Sequence, residues 1–386
     1  MINIQGRPFF LSAALLILLS CSEKPESDAA PHIPTQSSLT LHYAVGFTVE
    51  FRDRLKVVRV GQPWQNAQHA AEYILVPRGT APPSGYRKES LITVPVNNCI
   101  ALSTTFLAFL ETLGQTDKLI ALDNGRYVNS PNILKKIEEN KIKEVGSGSQ
   151  LNIEKVLSLS PELVFAYAMG DPAYDVHSQL TRAGIPVILN AAHLEETPLG
   201  RTEWIKFMAL FFDAEKTAAA VFDSIAAEYR QLAVLTQHLE DRPAVFCNAP
   251  FRGGPWFIPG GKSFVANALA DAGARYLWGE DKSSGSLPLS FESVYERAAG
   301  ADIWLNQLAE WKTLHHVRQA DNRYIRFKAY RQKQIFNNNA RQNSHGGNDI
   351  YENGIIHPEW VLADLIKIFH PSLLPHHNLI FYRRLE

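Results

Sequence analysis

A handful of turns in this chain combine aromatic, arginine and small polar residues, and the chemistry they offer is binding rather than bond-making. The densest is Phe251-Arg252-Gly253-Gly254-Pro255-Trp256-Phe257. Trp256 and Phe257 there offer flat apolar faces, and Arg252 offers a planar fork for anionic groups. Tyr127 and Tyr167 repeat the first provision, Arg126 and Arg341 the second, and Ser103, Thr104, Thr105 and Asn339 add neutral donors and acceptors. Each aromatic has a place in a core as its competing expectation. A core needs no turn so rich in glycine, so the 251–257 loop is expected at a ligand surface.

Signatures of catalysis do not appear. GGPWFIPGGKS imitates a phosphate loop, but the position five residues before Gly261 is Trp256 rather than glycine. There is no G-x-S-x-G elbow, no C-x-x-C and no H-E-x-x-H. The thirteen histidines are scattered, and the pairs His315-His316 and His376-His377 sit in polar or terminal settings that suggest solvation. An enzyme is therefore not expected, nor a resident metal. A formal net charge of −1 excludes the basic field that nucleic acid requires.

Two repeating α/β blocks must position these loops. From Leu39 to Val76 the apolar residues alternate with period two and are broken by Asp, Gly and Pro, which predicts a β-meander. From about residue 91, short apolar runs alternate with amphipathic helices: NNCIALS, LIAL, ELVFAY and IPVILN are strands, and Ser130-Pro131 opens one of the helices. That rhythm implies a parallel sheet covered on both faces. Residues 198–239 carry no strand signal, and 214–239 have three-four apolar spacing over a length that predicts a helix of nearly ~40 Å. The α/β rhythm then resumes from PAVFCNAP to the closing helix HPEWVLADLIKIF. The fold class is α/β: two lobes with parallel-rich sheets joined by a single long rigid helix, with an N-terminal β-meander extension. Cys99 and Cys247 fall in buried-strand sequence, on different lobes, and are expected as small hydrophobes rather than as a disulfide.

The first 38 residues read separately. One arginine precedes an apolar stretch from Pro8 to Leu19, too short for a span of about 20 residues. The boundary Leu18-Leu19-Ser20-Cys21 resembles a bacterial lipobox, which implies a signal peptide over 1–20 and a lipid on Cys21. Residues 21–38 have the composition of a flexible tether. The division that follows is 39–90 meander, 91–197 first lobe, 198–239 helical connection and 240–386 second lobe.

This layout resembles the periplasmic substrate-binding proteins of ABC importers for iron–siderophore, cobalamin and haem. LNIEKVLSLSPELVFAY (151–167) and LSFESVYERAAGADIWL (289–305) resemble the equivalent elements of that family's two lobes. GGKSFVANALADAGARYLW (260–278) and IIHPEWVLADLIKIFHPSLLP (355–375) resemble two later elements, and the likeness runs over roughly 91–375. The resemblance implies capture of a ligand in the cleft between lobes and delivery to a permease with its ATPase subunits, by a monomer held at the periplasmic side of a bacterial membrane. It implies that Glu154 and Glu292, one on each lobe, dock into permease arginines, where paired carboxylates fix orientation. It implies no covalent cofactor, and an iron complex or corrinoid as cargo. The turns before Asn152 and Glu292 read GSGSQ and SGSLP, without the tryptophan expected of cobalamin binders, so an iron chelate is the first expectation. A cobalamin, corrinoid or haem binder of the same family, a zinc or manganese binder of similar architecture, and a structural or adhesive surface lipoprotein are the alternatives.

Overall fold

The computed structural model describes residues 39–171, 175–250, 253–306 and 310–386. The expected lipid site at Cys21 lies outside them, as do Phe251 and Arg252 of the glycine-rich turn.

The extension begins with β1 (Phe47–Arg52), β2 (Leu55–Val60) and β3 (Ala71–Pro77), an antiparallel meander, and β4 (Leu91–Val94) adds to it in parallel beside β3. Alternation puts Val58, Val60 and Tyr73 on one buried face. Reading 91–94 with the first lobe was a misplacement: Ile92 and Val94 point inward in register with β3 and complete the extension's sheet.

The first lobe runs β5 (Cys99–Ala101), α1 (Thr104–Thr112), β6 (Leu119–Leu122), α2 (Pro131–Glu138), β7 (Lys143–Glu144), α3 (Ile153–Leu159), β8 (Leu163–Ala166), α4 (His177–Arg182) and β9 (Val187–Leu189). Its five strands are all parallel, in the order β7-β6-β5-β8-β9. Ser103, Ser130 and Asn152 cap α1, α2 and α3 by accepting backbone N–H bonds.

Two helices then connect the lobes. α5 (Pro198–Ala209) is buried almost all round, Glu203 and Lys206 included, and lies in the centre of the molecule. Asp213, in a left-handed turn, separates it from α6 (Glu215–Val234). The 20 residues of α6 span about 30 Å rather than the expected 40 Å, because the chain leaves the helix in turns after Val234.

The second lobe continues with β10 (Ala244–Cys247), β11 (Trp256–Pro259), α7 (Phe264–Asp271), β12 (Arg275–Tyr276), β13 (Ser286–Leu289), α8 (Phe291–Ala298) and β14 (Ile303–Asn306). It ends with α9 (Leu314–Ala320), α10 (Lys328–Arg331), β15 (Ile335–Asn337), α11 (Asn353–Ile356), α12 (Pro358–Phe369) and β16 (Arg383–Arg384). The sheet order is β12-β10-β14-β15-β16, parallel except for β16, and β11 pairs with β13 as a separate antiparallel ribbon.

Two buried carboxylates sew the extension to the connecting segment. Glu203 of α5 accepts the N–H groups of His42 (2.9 Å), Tyr43 (2.7 Å) and Ala44 (2.8 Å), and pairs with Lys206 at 2.8 Å. Glu195 accepts from the N–H groups of Val45 and Gly46 and from the Trp204 indole. Phe47 packs on the Trp204 and Phe207 rings at 4.8 and 5.2 Å. Burial by itself would raise the Glu203 carboxyl, but Lys206 and the three N–H donors hold it below its usual range.

Candidate functional site

In open parallel sheets ligands are met at the carboxyl ends of the strands. At those ends in the first lobe lies an open hollow of about 840 Å³, lined by Asp123 after β6, Gln150 after β7, and Tyr167, Met169, Asp171 and Asp175 after β8. Tyr167 and Met169 are large, apolar and about half exposed, in a molecule that buries most of its aromatic rings. Asp175 shapes the turn that carries them, accepting from the N–H groups of Met169 and Gly170 at 2.8 Å each. Trp64, from the β2–β3 loop of the extension, packs behind this turn, 5.4 Å from the His177 ring. Gly170 has φ +79°, and a Cβ there would meet the Trp64 ring at 2.6 Å, so glycine is required on both counts.

The hollow is acidic. Burial raises the Asp123 carboxyl to about 6, against two backbone N–H bonds, with Glu144 adding a smaller push upward. His193, after β9, faces Tyr167 with ring centroids 6.4 Å apart. Burial, reinforced by the Arg201 charge, lowers its imidazole to about 4, so it is neutral at physiological pH.

On the opposite side, the segment after β15 crosses to the first lobe and is tied to it. Thr105 Oγ1 donates to the Tyr351 carbonyl at 2.9 Å, and Asn343 donates to the carbonyls of Arg126 and Val128. Glu352, 1% exposed, accepts from the backbone N–H groups of Asn129 and Ser130, and burial raises its carboxyl to about 7. These cross-lobe bonds favour small rather than wide lobe movement.

The expected binding residues divide on this frame. Tyr167 lines the hollow, and Tyr127, on the turn after β6, and Phe257, on the outward face of β11, are each 48% exposed. Arg126 is exposed on the same turn as Tyr127, and Ser103, Thr104 and Thr105 form the start of α1, with Ser103 occupied as its cap and Thr105 in the cross-lobe bond. Trp256 is a correction. It is fully buried, its indole N–H donates to the Cys247 carbonyl at 2.9 Å, and it packs among Phe246, Trp304, Tyr324 and Phe327. The residue run WFIP is a strand, so Trp256 and Phe257 face opposite ways and cannot both meet a ligand. Asn339 is also internal, donating to the Trp311 carbonyl at 3.0 Å. Arg341 is committed to Asp349 at 2.8 Å. Cys99 and Cys247 are free and buried, and burial pushes the Cys247 thiol up to about 12.

Asp123, Met169, His193, Arg201 and Tyr351 were not among the expected residues. The first three follow strands, and the rule that selected Tyr167 would have selected them. Arg201 had no local signal, because it sits within a helix that looks wholly structural. Trp256→Phe is expected to cost about 1–2 kcal/mol, mainly the lost hydrogen bond and some packing. Ligand affinity should be unchanged, checked by urea unfolding alongside a binding titration.

Glu154 and Glu292 both occupy the first turn of their helices, α3 and α8, and both are exposed. Glu292 is met by Arg323 at 3.1 Å.

A family model described as periplasmic binding protein matches residues 100–341, most of the chain. The chain belongs to the periplasmic binding proteins. An uncharacterized lipoprotein of Methanocaldococcus jannaschii is 27% identical over 295 residues, 73% of this binding protein and 67% of that one. The chain thus spans about two thirds of that relative's length. A vitamin B12-binding protein of Yersinia pestis is 33% identical over 113 residues, 28% of this chain and 37% of that protein. Among solved structures, a periplasmic haem-binding protein of Pseudomonas aeruginosa superposes with a TM-score of 0.55 at 21% identity, covering 72% of this chain and 94% of that one. That likeness establishes the two-lobe fold. The matched region begins inside β5, so the β-meander lies outside it.

Proposed function

We propose that this periplasmic binding protein captures a metal chelate between its lobes and hands it to an ABC permease, without transforming it. The observation that carries this is the acidic hollow at the strand ends, walled by the half-exposed Tyr167 and Met169. Among the described residues no three His, Cys, Asp or Glu side chains cluster as a metal-holding set. A metal would therefore arrive inside its own organic ligand. Asp123, Asp171 and Asp175 suit a neutral or cationic face and repel an anionic one, which supports an uncharged or cationic iron chelate of hydroxamate type over a catecholate. A corrinoid is the second reading, favoured by the 33% identical stretch shared with a vitamin B12-binding protein. The lipoprotein names of relatives support a lipid on Cys21 and a site of action outside the cytoplasm. Lipid anchoring would raise the local concentration of binder at its permease, so weak docking suffices.

Titrating an iron(III)–trihydroxamate, an iron(III)–triscatecholate and cyanocobalamin against intrinsic fluorescence tests the reading. The trihydroxamate should bind and the triscatecholate should not. Tyr167→Ala should weaken binding about tenfold or more while leaving the melting temperature nearly unchanged, since the ring is half exposed. Asp123 is ionised above about 6, so affinity for a cationic chelate should fall as pH drops through that value, and Asp123→Asn should remove the dependence. Failure of all three ligands to bind would overturn the chelate reading.

A further inference from the structure

A second, smaller space lies at the carboxyl ends of the second-lobe strands. It is about 100 Å³, lined by α5, α7, α11 and α12 and the ends of β10 and β14. Its walls are apolar, with Phe264, Val265, Leu269, Ile355 and Leu365 the main contributors. Arg201, Asn306, Asn338, Tyr351 and Tyr382 break that lining, and the first two carry the argument. Arg201 of α5 lays its guanidinium over the Phe264 ring at 3.9 Å, and among the described residues no carboxylate is within ion-pair reach of it. Its Nε is buried without a hydrogen-bond partner. Asn306, fully buried at the end of β14, has neither its Oδ1 nor its Nδ2 hydrogen-bonded.

Both features are costly by themselves. A half-buried guanidinium whose Nε is shut away without a partner, and a buried, unsatisfied carboxamide, each lose solvation with nothing in return. Burial pulls the Arg201 guanidinium down to about 10, yet it remains charged at neutral pH. One chemistry relieves both groups together. A carboxylate in the space that both residues line would offer acceptors to Arg201 Nε and Asn306 Nδ2, while a short hydrocarbon chain fills the apolar remainder. An engineered cavity of about 150 Å³ holds benzene, so this space suits a chain of a few carbons. Tyr351 and Asn338 also line it, and Tyr351 is the residue met by Thr105 across the lobes. The pocket therefore borders the main cleft.

We infer that this pocket binds a carboxylate carried on a short apolar chain, with Arg201 and Asn306 as its polar contacts. The carboxylate has two sources: a free small acid, or an acidic arm of the captured chelate. The second source rests on the chelate reading; the first does not.

Calorimetry with hexanoate, hexanamide and hexanol on the intact protein tests the pocket itself. Hexanoate should bind at least tenfold more tightly than either neutral analogue. Arg201→Gln should abolish that preference, and Asn306→Leu should weaken hexanoate at least fivefold while sparing hexanol. Should Arg201→Gln fail to fold, the Asn306→Leu comparison decides alone. Equal binding of acid and neutral analogues, or no binding of any, would overturn the inference. Haemin and its dimethyl ester separate the sources. Competition of hexanoate with haemin, and not with the ester, assigns the pocket to an arm of the cargo; binding of both together assigns it to a free acid. Absence of haemin binding with hexanoate retained would count against haemin as cargo and leave the pocket standing.

Discussion

Replacing Glu203 with alanine is expected to destabilise the protein by about 3–5 kcal/mol, the usual consequence of removing one partner of a buried ion pair. Glu203 is 0% exposed and serves four donors at once: three consecutive backbone N–H groups at the start of the extension and the Lys206 ammonium. The alanine variant leaves all four without that acceptor, although Lys206 keeps its bond to the Thr40 carbonyl. Glutamine should be milder, since it retains an acceptor oxygen but brings donors of its own toward Lys206. The pH dependence has a definite sign. Because the folded-state carboxyl lies below its ordinary value, its contribution is fully present above the ordinary carboxylate range. It is lost as pH falls through the folded value. Urea unfolding of wild type and Glu203→Gln at neutral pH and in the acid range should therefore show a gap that narrows with acid. A gap independent of pH would refute the assignment of charge to this site.

Reversing both Glu154 and Glu292 to arginine is expected to reduce transport to background in a vesicle assay while ligand affinity holds. This follows from the importer proposal, in which exposed carboxylates on the two lobes meet arginines of a permease. Each substitution removes an attraction and adds a like-charge repulsion, and the two act at separate points, so the double variant should lose more than either single one. The Glu292 side should be the more sensitive to orientation. Arg323 holds that carboxylate at 3.1 Å while itself lying over the Phe291 ring and pairing with Asp321 at 2.7 Å, so the group is aimed before any partner arrives. Normal transport by the double variant would remove these glutamates from the docking role. Lost ligand affinity would instead mean that the cleft has been misplaced.

The α/β alternation and the helical connection were legible in the sequence because both rest on periodicity, and a misjudged residue or two does not erase a period. Site residues were legible only where a strand end could be located. Tyr167 closes the run ELVFAY, one residue past the end of β8, and it lines the hollow. Trp256 misled because glycines and prolines before it suggested a turn, whereas the four residues WFIP alternate in and out as a strand whose pairing partner, SLPL, lies about thirty residues later. Arg341 and Asn339 misled for a related reason. Their polar groups are spent inside their own lobe, Arg341 on Asp349 and Asn339 on the Trp311 carbonyl 28 residues away, and a run of asparagines does not reveal which of its members is internal. Arg201 could not have been found at all without knowing which helix lies beneath the cleft.

The attachment of the extension through Glu195 and Glu203 also bears on how the chain acquires its fold. Donor and acceptor in these bonds stand 149 to 161 residues apart. The extension's sheet is synthesised first, yet the rings that cover Phe47 and the carboxylates that satisfy residues 42–46 belong to α5 and the turn just before it, made much later. Strands 47–94 must therefore wait with an apolar face uncovered until residues 195–211 emerge, and this long-range closure belongs among the slow steps of maturation. An excised fragment of residues 39–96 should accordingly remain unfolded by circular dichroism, its face having nothing to cover it, and order only when the central helix is supplied in the same chain.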